Sequence, residues 1–76
     1  MIPETLEVLV FKTNIRSEID LGRAATLLNR EHDIRRWSVD QNDIDNILRI
    51  EAYELAPDTV IAIIRNAGFC CEELAD

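Results

Sequence analysis

Two adjacent cysteines, Cys70 and Cys71, are the side chains of this sequence best suited to soft-metal or redox chemistry. A disulfide between them would be strained, because neighbouring Cα atoms lie about 3.8 Å apart and disulfides usually need roughly 4.4 Å or more. Successive side chains of a strand point to opposite faces, so the two thiols could hold one ion only if Cys70 preceded the strand. Two interpretations stay open: small apolar side chains that fill an edge of the fold, and a thiolate site for a metal or for redox exchange.

A second pattern, Ser17-Glu18-Ile19-Asp20, has the residue types of a helix capping box. In such a box the hydroxyl of Ser17 accepts a hydrogen bond from the backbone three residues on, and the carboxylate of Asp20 reaches back to the backbone of Ser17. Both side chains then satisfy N–H groups that the start of a helix leaves unpaired. A hard-cation site at Asp20 would need several more oxygen ligands, so we predict a structural cap.

Length and charge restrict the class of protein and of partner. With 76 residues, 47% of them hydrophobic, residues 1–76 should form one small domain. Fifteen acidic residues against eight basic ones give a net charge of −7, which disfavours nucleic acid and anionic membranes as partners.

The opening residues 1–4 lack the features of a signal peptide, and we expect a cytoplasmic protein. No nucleophile is evidently paired with a base, so we predict no enzymatic activity.

Hydrophobic spacing predicts four strands and two helices. The strands are predicted at 6–12, 34–40, 47–53 and 69–72, with helices from Ser17 to near Asp33 and from Pro57 to Gly68. Helical spacing of the apolar residues predicts one buried stripe on each helix. The order strand, helix, strand, strand, helix, strand, joined by right-handed crossovers, predicts an α+β fold. It is a ferredoxin-like βαββαβ two-layer sandwich, in which two helices cover one face of a four-stranded antiparallel sheet.

The predicted second strand, Trp37-Ser38-Val39-Asp40, and the helix ending Ala67-Gly68-Phe69 carry a resemblance that extends over nearly the whole chain. The chain resembles the heavy-metal-associated domains, a family of small modules similar to copper chaperones. The resemblance implies the fold predicted above and binding of Cu(I), zinc or cadmium through Met-x-Cys-x-x-Cys in the first loop.

That metal motif falls on residues of a different chemistry in this chain. Its Met aligns with Ile15, its first Cys with Ser17 and its second Cys with Asp20. Soft thiolates are the ligands that select Cu(I), and both are missing. The resemblance therefore implies a degenerate metal motif with no bound cofactor, in which Ser17 and Asp20 form a helix cap in place of the metal ligands.

The uncovered face of the sheet is the predicted interface. If Val8 and Val10 pack under the helices with Leu48 and Ile50, an apolar patch of the size that often marks an interface remains on the other face. Its four predicted members are Leu9, Phe11, Ile47 and Tyr53.

Two functions follow from these features. The first is a non-catalytic interaction or regulatory module whose partner is another protein or a second copy of the chain. The alternative is a module that binds or traffics Cu or Zn, or exchanges thiols, through Cys70 and Cys71.

Overall fold

A computed structural model describes residues 5–74 of the chain. The expectation that residues 1–4 are not part of a signal peptide concerns residues outside this range. The elements follow the order β1 (Glu7–Thr13), α1 (Glu18–Leu28), β2 (Ile34–Asp40), β3 (Ile47–Ala52), α2 (Pro57–Asn66) and β4 (Cys71–Glu73). Every predicted element is present, although several begin or end at other residues than predicted.

All strands belong to one antiparallel sheet in the order β2-β3-β1-β4. The two strands that lead into helices are central and the other two are edges, as right-handed crossovers require. Buried side chains of both helices, such as Leu28 and Ile64, join those of the sheet in one core. The predicted ferredoxin-like βαββαβ fold is thus confirmed. Within residues 5–74, neither helix is long and apolar enough to cross a membrane.

The register between β1 and β3 decides which face of β1 is buried. Leu9 lies opposite Ile50, and Phe11 lies opposite Leu48. Directly opposed residues share a face of the sheet, so Leu9 and Phe11 pack under the helices and are buried, while Val8 is 55% exposed. The prediction that Leu9 and Phe11 form a surface patch is wrong, because β1 is apolar at both odd and even positions and only its pairing selects one set.

The other two residues of the predicted patch, Ile47 and Tyr53, are half-buried. Ile47 is the first residue of β3 and lies opposite Asp40, the last residue of β2. Tyr53 follows β3, and its backbone N–H donates to the carbonyl oxygen of Asp33 at 3.1 Å. The open face of the sheet therefore carries no patch made of the four predicted residues.

Helix α1 ends earlier than the predicted position near Asp33. Its last residue is Leu28, and the N–H of Asn29 donates to Ala25 as the helix closes. The apolar stripe stops at Leu28 and polar residues follow, so further helix would bury nothing. The side chain of Asn29 instead accepts a hydrogen bond of 3.0 Å from Nε1 of Trp37, which fastens β2 to the end of the helix.

Helix α2 ends in a Schellman motif, and this shortens the last strand. Gly68 has φ +95°. Its N–H donates to the backbone carbonyl oxygen of Arg65, and the N–H of Phe69 donates to that of Ile64. This pair of bonds around a left-handed glycine closes a helix. Phe69 therefore belongs to the helix exit, and β4 begins at Cys71 rather than at the predicted Phe69.

The two faces of β1 give a direct test of the register. We expect Phe11→Ala to lower the free energy of unfolding by about 3–5 kcal/mol, because the ring is fully buried. Val8→Ala on the opposite face should change it by no more than about 0.5 kcal/mol. Urea denaturation of both variants measures the difference, and equal losses at the two positions would contradict the register.

Candidate functional site

The hydroxyl of Thr13 organises the loop between β1 and α1. It donates to the carbonyl oxygen of Asn46 at 2.7 Å and accepts from the N–H of Ile15 at 3.2 Å. Thr13 and Asn46 are buried, and the side chain of Ile15 lies fully inside the core. Buried polar groups are costly unless they are hydrogen-bonded, so these two bonds fix the path of the loop between Thr13 and the helix.

The next turn contains both hydrogen bonds of the predicted capping box. Oγ of Ser17 accepts from the N–H of Asp20 at 3.1 Å, and Oδ2 of Asp20 accepts from the N–H of Ser17 at 3.3 Å. The N–H of Arg16 also donates to Oδ2 of Asp20, at 3.2 Å. The two side chains at the metal-ligand positions of the resemblance are therefore bonded to the backbone of the helix start.

The bonded carboxylate is electrostatically adapted to this position. The backbone N–H of Arg16 and then that of Ser17 hold the pKa of the Asp20 carboxyl below its ordinary value. Donors to a carboxylate favour its charged form. Asp20 therefore stabilises the folded state at pH values above the pKa that its carboxyl has in the unfolded chain. This contribution is lost as the pH falls through the lower pKa of the carboxyl in the folded state.

The adjacent cysteines occupy different environments. Cys70 is exposed and precedes β4, whereas Cys71 is the first residue of that strand and is buried. The N–H of Cys70 donates to Oδ1 of Asn14 at 2.8 Å, which joins this segment to the first loop. Burial raises the pKa of the Cys71 thiol to about 11, although the charge of Arg65 partly opposes the shift. Cys71 is thus a thiol at neutral pH, and thiolates are the form that binds metal.

The loop between β2 and β3 lies against the start of α1. Nε2 of Gln41 donates to the carbonyl oxygen of Ser17 at 3.4 Å. The backbone N–H of Thr13 donates to the backbone carbonyl oxygen of Asp45 at 3.0 Å. This end of the molecule exposes two large apolar side chains, Ile19 at 78% and Ile44 at 92%. We call these two residues the loop-end pair.

A cleft of about 460 Å³ lies where the first loop meets the cysteine segment. It is lined by the charged side chains of Lys12, Arg16, Arg65 and Glu72, together with Asn14, Phe69 and the cysteines. Lys12 and Glu72 are paired across β1 and β4, so the cleft opens beside the edge strand. We call it the basic cleft.

Comparison with solved structures places this architecture among known proteins. The apo heavy-metal-associated domain of the copper chaperone for superoxide dismutase superposes with a TM-score of 0.78 at 15% identity, covering 93% of this chain and 69% of that one. A yeast copper transporter domain, solved in apo and Cu(I)-loaded states, gives 0.77 at 18% identity over 91% and 96%. A chain of the Atx1-Cu(I)-Ccc2a complex gives 0.75 at 18% identity over 91% and 96%.

The chain has the heavy-metal-associated fold. Likeness at these identities establishes the architecture alone, and the metal chemistry of those proteins is a property of their own side chains. No protein-family model matches the sequence, and no curated protein is detectably similar to it. Within residues 5–74 of this heavy-metal-associated fold, no group of three or more His, Cys, Asp or Glu side chains lies close enough together to hold a metal ion.

Two residues that shape this end of the heavy-metal-associated fold, Thr13 and Asn46, were not singled out by the sequence. They lie 33 positions apart, and only the pairing of strands brings them together. The one local signal is at Asn46, which has φ +44°, because asparagine tolerates the left-handed region better than most residues.

The capping box predicts a stability effect at Ser17. We expect Ser17→Ala to lower the free energy of unfolding by about 1 kcal/mol, since an N–H at the helix start loses its acceptor. Ser38→Ala is the matched control, because Ser38 is exposed on β2. Thermal or urea denaturation measures both variants. A loss at Ser17 no larger than the loss at Ser38 would show that the cap contributes nothing.

Proposed function

We propose that this chain is a non-catalytic member of the heavy-metal-associated domains that has lost the thiolate site and serves as a protein-interaction module. The observation that carries the proposal is the capping box. Ser17 and Asp20 stand where the resemblance places the two metal-binding cysteines, and both are hydrogen-bonded to the helix backbone. One hydroxyl and one carboxylate do not offer Cu(I) the soft ligands that it prefers.

The loop-end pair is the surface that we assign to the partner. Ile19 lies inside the degenerate motif and Ile44 at the neighbouring loop, and such exposed apolar side chains are stabilised when a partner covers them. One structurally similar chain comes from a protein complex, Atx1-Cu(I)-Ccc2a. In our proposal apolar contact at this end replaces metal coordination as the basis of recognition.

A Cu(I) titration tests the loss of the metal site. We expect the reduced wild-type protein to take up no Cu(I) in competition with a chromogenic chelator. The double variant Ser17→Cys/Asp20→Cys, which restores the two thiolates of the motif, should take up about one ion per molecule. Circular dichroism checks that both proteins are folded. Tight uptake of one ion by the wild type would overturn the proposal.

The same titration distinguishes the alternative site at Cys70 and Cys71. One observation favours that site: Cys70 is exposed and precedes β4. The alternation of side chains along the strand therefore does not force the two thiols onto opposite faces of the sheet. The raised pKa of Cys71 opposes it. Uptake by the wild type that disappears in Cys70→Ser would assign metal binding to the cysteines, whereas uptake that persists in Cys70→Ser would place the ion elsewhere.

The interaction surface predicts a selective loss of partner binding. We expect proteins captured from a lysate by the wild type to be lost from Ile19→Ser/Ile44→Ser and retained by Val8→Ser. All three changes are at exposed positions, so stability should change little, and denaturation curves verify this. Equal capture by wild type and the loop-end variant would reject this surface. Sedimentation at several concentrations shows whether the partner is a second copy.

A further inference from the structure

We propose that the basic cleft binds a compact anionic small molecule that carries phosphate or carboxylate groups. The cleft holds about 460 Å³, within the range of small-molecule sites. It is built from β1, the first loop, α2 and the cysteine segment, which the fold brings together from distant parts of the sequence. The proposal goes beyond the interaction function, because it depends on neither the capping side chains nor the loop-end pair.

The distribution of charge is the first argument. The chain has a net charge of −7, yet three of its eight basic side chains line this one cleft, against the single carboxylate of Glu72. An anion is repelled by the molecule as a whole and attracted here, so attraction to the cleft is local. A cleft in which three cations outnumber one carboxylate attracts anions locally.

The state of the three cations is the second argument. Within residues 5–74, Arg16 and Arg65 form no ion pair, and Lys12 reaches Asp45 only in an exposed pair at 3.5 Å. Each guanidinium presents a planar set of donors that matches a phosphate or a carboxylate in two hydrogen bonds. Two such groups at one cleft favour a ligand with more than one anionic oxygen centre.

The rigidity of the walls is the third argument. The hydrogen bond from the N–H of Cys70 to Asn14 joins the two loops that border the cleft, and the buried ring of Phe69 forms part of its wall. Because Oδ1 of Asn14 already accepts this bond, the amide nitrogen is the group of that side chain left to donate to an anion. This bond joins the two loops before any ligand arrives, so the backbone around the cleft loses little entropy on binding.

Cys70 supplies a reporter inside the cleft. It is exposed and lines the cleft, whereas Cys71 is buried. The rate at which anionic iodoacetate alkylates native Cys70 is divided by the rate for neutral iodoacetamide. We expect this ratio to be higher in the wild type than in Arg65→Gln. Cys70→Ser should remove the rapidly modified thiol and so identify the reporter by mass spectrometry.

Competition then measures binding of the ligand class. Pyrophosphate and citrate represent phosphate and carboxylate ligands, and at least one should protect Cys70 saturably and shift the amide resonances of Asn14 and Cys70. Arg16→Gln and Arg65→Gln should each weaken that binding about tenfold. Arg30→Gln is the matched control, because it removes the same charge from an exposed position beyond the far end of α1.

The outcomes separate cleanly. Saturable binding that is weakened in both cleft variants and unchanged in Arg30→Gln supports the site, and the more tightly bound probe identifies the anionic group. Absence of saturable binding by both probes overturns the proposal. An equal effect in Arg30→Gln also overturns it, since net charge alone would then explain the result. The Cu(I) titration is independent of these variants, so failure here is distinguishable from failure of the proposed function.

Discussion

The pairing of β1 with β3 is the constraint on which the rest of this molecule depends. Leu9 opposite Ile50 and Phe11 opposite Leu48 place the odd-numbered residues of β1 under the helices. The same alternation carries Thr13 into the interior at the end of the strand and leaves Lys12 on the outside. A shift of one residue would exchange the two sets of side chains. Such a shift would move the hydroxyl of Thr13 away from the first loop and the ammonium group of Lys12 away from the basic cleft.

Oxygen atoms hold together the end of the fold at which the resemblance places a metal. The hydroxyl of Thr13 joins two loops, and Ser17 and Asp20 close the start of α1 on itself. A thiolate pair at such a position is stabilised when a metal is bound, whereas these side chains satisfy backbone donors without any ion. This difference gives a physical reason why a heavy-metal-associated fold is stable with a hydroxyl and a carboxylate at these two positions.

The same end of the molecule separates apolar from charged surface. Ile19 and Ile44 are exposed around the helix start, while Arg16 and Arg65 line the cleft beside the last strand. The two cysteines are divided in a similar way, because the Schellman motif delays β4 until Cys71 and leaves Cys70 outside it. One thiol is consequently part of the core and its neighbour borders solvent. In our proposals the apolar surface serves a protein partner and the basic surface a small anion.

The sequence alone determined the order and type of the six elements and the capping residues Ser17 and Asp20. These features depend on residues within one or two turns of each other, and their spacing is visible in the printed chain. Tertiary structure decided which face of β1 is buried, where β4 begins and how Lys12 and Arg65 come to line one cleft. The physical reason is that β1 is apolar on both faces, so its local pattern is compatible with either orientation. Only its hydrogen bonds to β3, some forty residues away, select one.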